Sequence, residues 1–131
     1  MDAITEHLSS YVASLDYSDL PPEAVHGMKV RLIDSLGCAY GGRESEPAEI
    51  ARSIATGVTG TPGATMWFTD ERTTPELATF VNGLMVRYLD YNDTYFVYEG
   101  GHPSDTIAAV LAVSEAADIT GREALVAMVA A

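Results

Sequence analysis

Apolar side chains recur at helical spacing along most of the chain. Ile4, Leu8, Tyr11, Val12 and Leu15 predict a first helix ending near Asp16. Pro21 and Pro22 open a second, since proline suits a helical first turn, and Val25, Met28, Leu32, Ile33 and Leu36 form its stripe, with Gly37, Gly41 and Gly42 expected to close it. Glu46 and Pro47 begin a third, carrying Ile50 and Ile54 on its apolar side, before a turn at Thr59-Gly60-Thr61-Pro62-Gly63. Ala64 to Phe68 reads as a short extended piece, with Trp67 as a packing residue rather than a stacking platform. Thr74 and Pro75 have the chemistry of an N-cap and first turn, and Leu77, Phe80, Val81, Leu84, Met85 and Tyr88 make the most regular stripe in the chain. Gly83 inside that helix predicts close approach by another backbone. Ser104 is placed to cap a fifth helix with Ile107, Val110 and Leu111 facing inward. Thr120-Gly121-Arg122-Glu123 has capping-box spacing ahead of a sixth helix with Leu125, Val126, Met128 and Val129. The reading is one all-α unit of about six helices with no substantial sheet.

That sixth helix has a strong start and no stop signal, so residues 1–131 are expected to be the beginning of a longer domain. No apolar run is long enough to cross a bilayer, and the opening residues lack a signal-peptide pattern, which together predict a cytoplasmic protein without membrane attachment. Cys38 has no second cysteine to pair with. Nineteen acids against seven bases give a net charge of −12, which argues against nucleic acid as a partner because phosphate contacts need a basic face. The same charge means that an anionic ligand must draw much of its binding cation from outside this piece.

The polar stretch from Asp90 to Asp105 interrupts the helical pattern and gathers Asp90, Asn92, Asp93, Thr94, His102, Ser104 and Asp105 between two helices. A calcium loop starting at Asp90 fails, because its sixth and twelfth positions hold Tyr95 and Gly101 where glycine and glutamate are needed. Asn92-Asp93-Thr94 matches a glycosylation sequon, a chance match without a secretory signal. A metal site from Asp90, Asp93, His102 and Asp105 has suitable donors but no recognised ligand spacing, so no metal is assigned. Acid–base chemistry on a small carboxylic acid fits the residue types: carboxylates around His102 would favour the imidazolium, which could protonate a leaving hydroxyl or hold a substrate carboxylate. The plainer alternative is that these residues merely cap the helices on either side, and spacing alone favours that alternative. Asp34, inside the apolar run of the second helix, is expected to pair with Arg31 one turn earlier.

Asp90-Tyr91-Asn92-Asp93-Thr94 followed by Gly101-His102-Pro103-Ser104-Asp105 resembles the signature of the MmgE/PrpD, or 2-methylcitrate dehydratase, family. Leu20-Pro21-Pro22-Glu23-Ala24-Val25, Asp34-Ser35-Leu36-Gly37-Cys38 and Asn82-Gly83 extend the resemblance upstream in the expected order. The resemblance implies the N-terminal part of a large helical domain, in a longer homodimeric enzyme with a smaller lid domain. It implies a lyase acting on small tricarboxylic acids, dehydrating 2-methylcitrate to 2-methylaconitate without the iron–sulfur cluster of aconitase and with no other cofactor. Decarboxylase and epimerase relatives leave the reaction open within the family. Asp90, Thr94 and His102 match positions that line the family's active site, with Asn92 and Asp93 beside them; Asp90 and His102 are expected to be catalytic, and Thr94, Asn92 and Asp93 to bind substrate. The family's downstream lysine, second histidine and tyrosine have no counterpart here, so the isolated chain is expected to be inactive. A non-catalytic helical piece that binds a partner, such as its own missing remainder, is the competing expectation.

Overall fold

The computed structural model describes residues 2–98 and 100–131; Glu99, in the polar stretch, lies outside them, as does Met1. The helices are α1 (Ala3–Ser14), α2 (Pro22–Gly42), α3 (Glu46–Ala55), α4 (Pro75–Arg87), α5 (Ile107–Ala116) and α6 (Gly121–Ala130), so the chain is all-α as its periodicity predicts. Two minimal antiparallel ladders complete it: β1 (Ala64–Thr65) with β2 (Arg72–Thr73), and β3 (Tyr95–Phe96) with β4 (Gly100–Gly101). Among the described residues no helix is long and apolar enough to cross a membrane.

Local capping chemistry sets the helix starts. Thr74 accepts a hydrogen bond from the Leu77 N–H, and Thr120 and Glu123 form the reciprocal capping box expected of them. Helix α4 is the centre of the packing, touching α2, α3 and α5. Its Val81, Met85 and Val86 meet Ala39 of α2 and Ala48, Ala51 and Ala55 of α3 in one core cluster, joined by Met66. A second cluster joins Ile107 to Ala124, Leu125 and Met128 of α6, with Val25, Met28 and Leu32 of α2 packed on it. Trp67 packs against both, so it is a packing residue as expected. Asn82, fully buried, ties the first ladder to α4 by accepting from the Trp67 N–H at 2.9 Å and donating to the Thr65 carbonyl at 3.0 Å. Glu115 of α5 holds the same ladder through the Thr65 N–H and hydroxyl and through Arg72. Burial alone would raise its carboxyl, but those partners outweigh burial and leave it below the ordinary carboxylate range.

Several expected stripes face the wrong way. In α3 the buried positions are the three alanines, whereas Ile50 and Ile54 are 54% and 55% exposed. The reason is distance: alanine lets α3 lie close against α4, and isoleucine would hold it off. In α2, Ile33 is exposed and the face towards α4 is Ser35, Cys38, Ala39 and Gly42. A Cβ on Gly42 would stand 2.5 Å from the Met85 carbonyl oxygen, so this glycine is where two backbones meet. Gly83, expected in that role, is not: its Cβ would make only an ordinary contact, at 3.8 Å, with the Ala108 methyl. Nor do Gly37 and Gly41 end α2, which runs on to Gly42 because its remaining hydrogen bonds and packing outweigh the propensity cost. Helix α1 buries none of its residues, and its stripe of Ile4, Leu8, Tyr11 and Val12 is exposed.

Candidate active site

The polar stretch leaves α4 through Asp90, whose φ of 49° is in the left-handed region that aspartate tolerates, and its N–H bonds the Arg87 carbonyl at 3.0 Å. The chain then runs out along β3, returns along β4 and enters a 3-10 turn, Pro103–Thr106, directly before α5. Two arginines hold it. Arg87 of α4 donates to the Asn92 amide oxygen at 2.6 Å and pairs with Asp90 at 3.0 Å and Asp105 at 3.5 Å. Arg31 of α2 donates from Nε to the Asp93 carboxylate at 3.1 Å. The expected Arg31–Asp34 pair is therefore not formed; Asp34 is exposed, and the guanidinium turns instead to a carboxylate 62 residues away.

Asn92 and Asp93 lock the outgoing segment to the returning one. Asn92, 4% exposed, donates to the Ser104 hydroxyl at 2.7 Å. The other oxygen of the Asp93 carboxylate accepts the Ser104 N–H at 3.0 Å. The Asp93 carbonyl lies 2.8 Å from His102 Nδ1. A carbonyl oxygen only accepts, so Nδ1 carries the proton and Nε2 is the nitrogen left for chemistry. Among the described residues Nε2 has no hydrogen-bond partner. Ser104 is engaged sideways by Asn92 rather than capping α5, and neither the 3-10 turn nor α5 has a side-chain cap. The capping alternative therefore does not explain why these polar residues are here.

His102, half-buried, lines an open cleft of about 680 Å³ between α2, the hairpin and α6, with Arg31, Glu23, Gly27, Tyr95 and Met128 among its walls. Of the residues singled out from sequence, His102 is the one on this cleft. Asn92 and Asp93 fix the segment that carries it, Asp90 is held outside by Arg87, and Thr94 is exposed and outside the network. The acidic groups do not ring the imidazole: Asp93 and Asp105 are taken up by Arg31 and Arg87, and among the described residues no carboxylate pairs with His102. Nor do three or more histidine, cysteine or acidic side chains converge as a metal site among those residues. Arg31 is the cleft residue that local spacing misses, because its partner is distant in sequence.

In this all-helical domain one imidazole nitrogen is held to the backbone on a side chain that lines a cleft. The model of the MmgE/PrpD N-terminal domain matches residues 6–131, and the chain belongs to the MmgE/PrpD family. It is 36% identical to an alkylcitrate dehydratase of Talaromyces stipitatus over 110 residues, 82% of this chain and 23% of that protein. It is also 36% identical to the 2-methylcitrate dehydratase of Salmonella typhimurium, over 64% of this chain and 18% of that protein. Human cis-aconitate decarboxylase is 29% identical over 88% of this chain and 24% of its own length. The chain thus spans about a fifth of the length of these relatives.

Proposed function

We propose that the chain is the N-terminal part of a longer lyase that removes water from 2-methylcitrate or a similar alkylcitrate, giving the corresponding aconitate by acid–base catalysis without an iron–sulfur cluster. His102, as the imidazolium with its Nδ1–H on the Asp93 carbonyl, is the proton donor to the departing hydroxyl or the anchor of a substrate carboxylate, acting through Nε2–H. Asp93 and Asn92 hold it in place, while Asp90, paired with Arg87, and the exposed Thr94 do not line the cleft and would meet substrate only where the rest of the protein completes the site. The group that removes the carbon-bound proton lies in the remainder of the longer protein. The observation that carries this reading is the 2.8 Å contact from His102 Nδ1 to the Asp93 carbonyl, which commits one ring nitrogen and leaves its partner uncommitted on a cleft-lining side chain. The names of the 36%-identical relatives favour dehydration over decarboxylation.

The test is turnover by the full-length protein. It is expected to dehydrate 2-methylcitrate, the 131-residue chain is expected to show no turnover, and His102→Ala in the full-length protein should lower kcat by roughly 10²-fold or more if the imidazole is the acid. An unchanged kcat in that variant contradicts the acid role, and release of carbon dioxide from cis-aconitate in place of dehydration would move the protein to the decarboxylase branch.

A further inference from the structure

We infer that Arg31 is a binding residue of this site, taking one carboxylate of the substrate and setting it against His102. The inference draws on the lyase reading for the identity of the acid only. Its own ground is the placement of the guanidinium. Arg31 lines the same cleft as His102, and in a chain of net charge −12 it is the permanent cation on those walls, ion-paired with Asp93 behind it, with Glu23 the acidic side chain among the other lining residues. Its Nε is committed to Asp93 at 3.1 Å and Nη1 reaches the Gly27 carbonyl only at 3.4 Å, while among the described residues Nη2 donates to nothing. One edge of the fork is thus anchored and the other is open, which is how arginine presents itself to a carboxylate with its orientation already fixed.

Two further features make this more than a surface ion pair. Gly27 leaves room for the guanidinium, since a Cβ there would stand 3.3 Å from Nη1. Asp93 holds both groups, giving its carboxylate to Arg31 and its carbonyl to His102, so the cation and the imidazole are registered by a single residue whose side chain is 17% exposed. A ligand with a carboxylate and a hydroxyl on neighbouring carbons matches such a pair: the carboxylate meets Arg31 and the hydroxyl meets Nε2.

The experiment compares Arg31→Gln and Arg31→Lys with the wild-type full-length protein in two assays. In turnover of 2-methylcitrate, Arg31→Gln is expected to raise KM roughly 10- to 100-fold, the loss of a charge-assisted hydrogen bond, with kcat nearly unchanged; Arg31→Lys should recover part of the loss. A fall in kcat at unchanged KM would mean that Arg31 serves only to position Asp93, and overturns the assignment; so does an unchanged KM. In calorimetry with tricarballylate, a tricarboxylate that cannot be dehydrated, binding should weaken by a similar factor in Arg31→Gln. Equal affinity in both proteins, or no binding by either, overturns the assignment. A wild type that binds tricarballylate through Arg31 yet turns over none of the alkylcitrates contradicts the lyase reading alone.

Discussion

Asn92 shows how much a single buried amide can carry. It accepts from Arg87 and donates to Ser104, joining the end of α4 to the turn that bears His102. Replacement by alanine leaves the buried Ser104 hydroxyl without its partner and takes one acceptor from the partly exposed Arg87 guanidinium. Asn92→Ala should therefore destabilise the full-length protein by about 1–3 kcal/mol, read as a lower urea midpoint at unchanged slope. A midpoint within error of wild type would mean that the two strands of the loop hold together by other means. Asp93 illustrates the opposite limit of sequence reading. Its residue type marks it as a candidate, but its division of labour among Arg31, Ser104 and His102 depends on three elements that meet only in the fold.

At the scale of elements, starts are legible and faces are less so. Thr74, Thr120 and Glu123 act within four residues of themselves, so spacing alone finds their roles. The buried face of α3 is not legible from apolarity, which ranks Ile50 and Ile54 above the alanines, because the deciding quantity is how closely a neighbouring helix approaches. The same quantity separates two glycines of α2. A methyl at Gly42 meets the Met85 carbonyl, which cannot move without moving α4, whereas a methyl at Gly37 meets nothing within 4 Å. Gly42→Ala should cost about 1–3 kcal/mol from overpacking, and Gly37→Ala should add about 0.5–1 kcal/mol by relieving the helical cost of glycine. Thermal melts of the two variants check this; equal shifts for both would show that the α2–α4 contact is looser than described.

For the whole molecule, the charge balance and the cleft point the same way. A chain of net charge −12 offers a tricarboxylate little attraction, yet it keeps Arg31 and a half-committed imidazole on one cleft. Such a half-site suits the lyase proposed above, whose relatives are several times longer than this chain, with further cations expected from the remainder. The loop signature made the family legible in the sequence, and the helical periodicity made the fold class so. The cleft was not legible, because α2, the hairpin and α6 contribute to it from positions some hundred residues apart along the chain. The most direct test is the nitrogen-15 NMR spectrum of His102 in the full-length protein, recorded with and without 2-methylcitrate at equilibrium with its dehydration product, so that a ligand carrying the hydroxyl is present. Nδ1 should carry the proton of the neutral ring, held by the Asp93 carbonyl, and the Nε2 resonance should shift on addition of the tricarboxylate. A ring protonated at Nε2 in its neutral form, or an Nε2 signal indifferent to saturating ligand, would contradict the account.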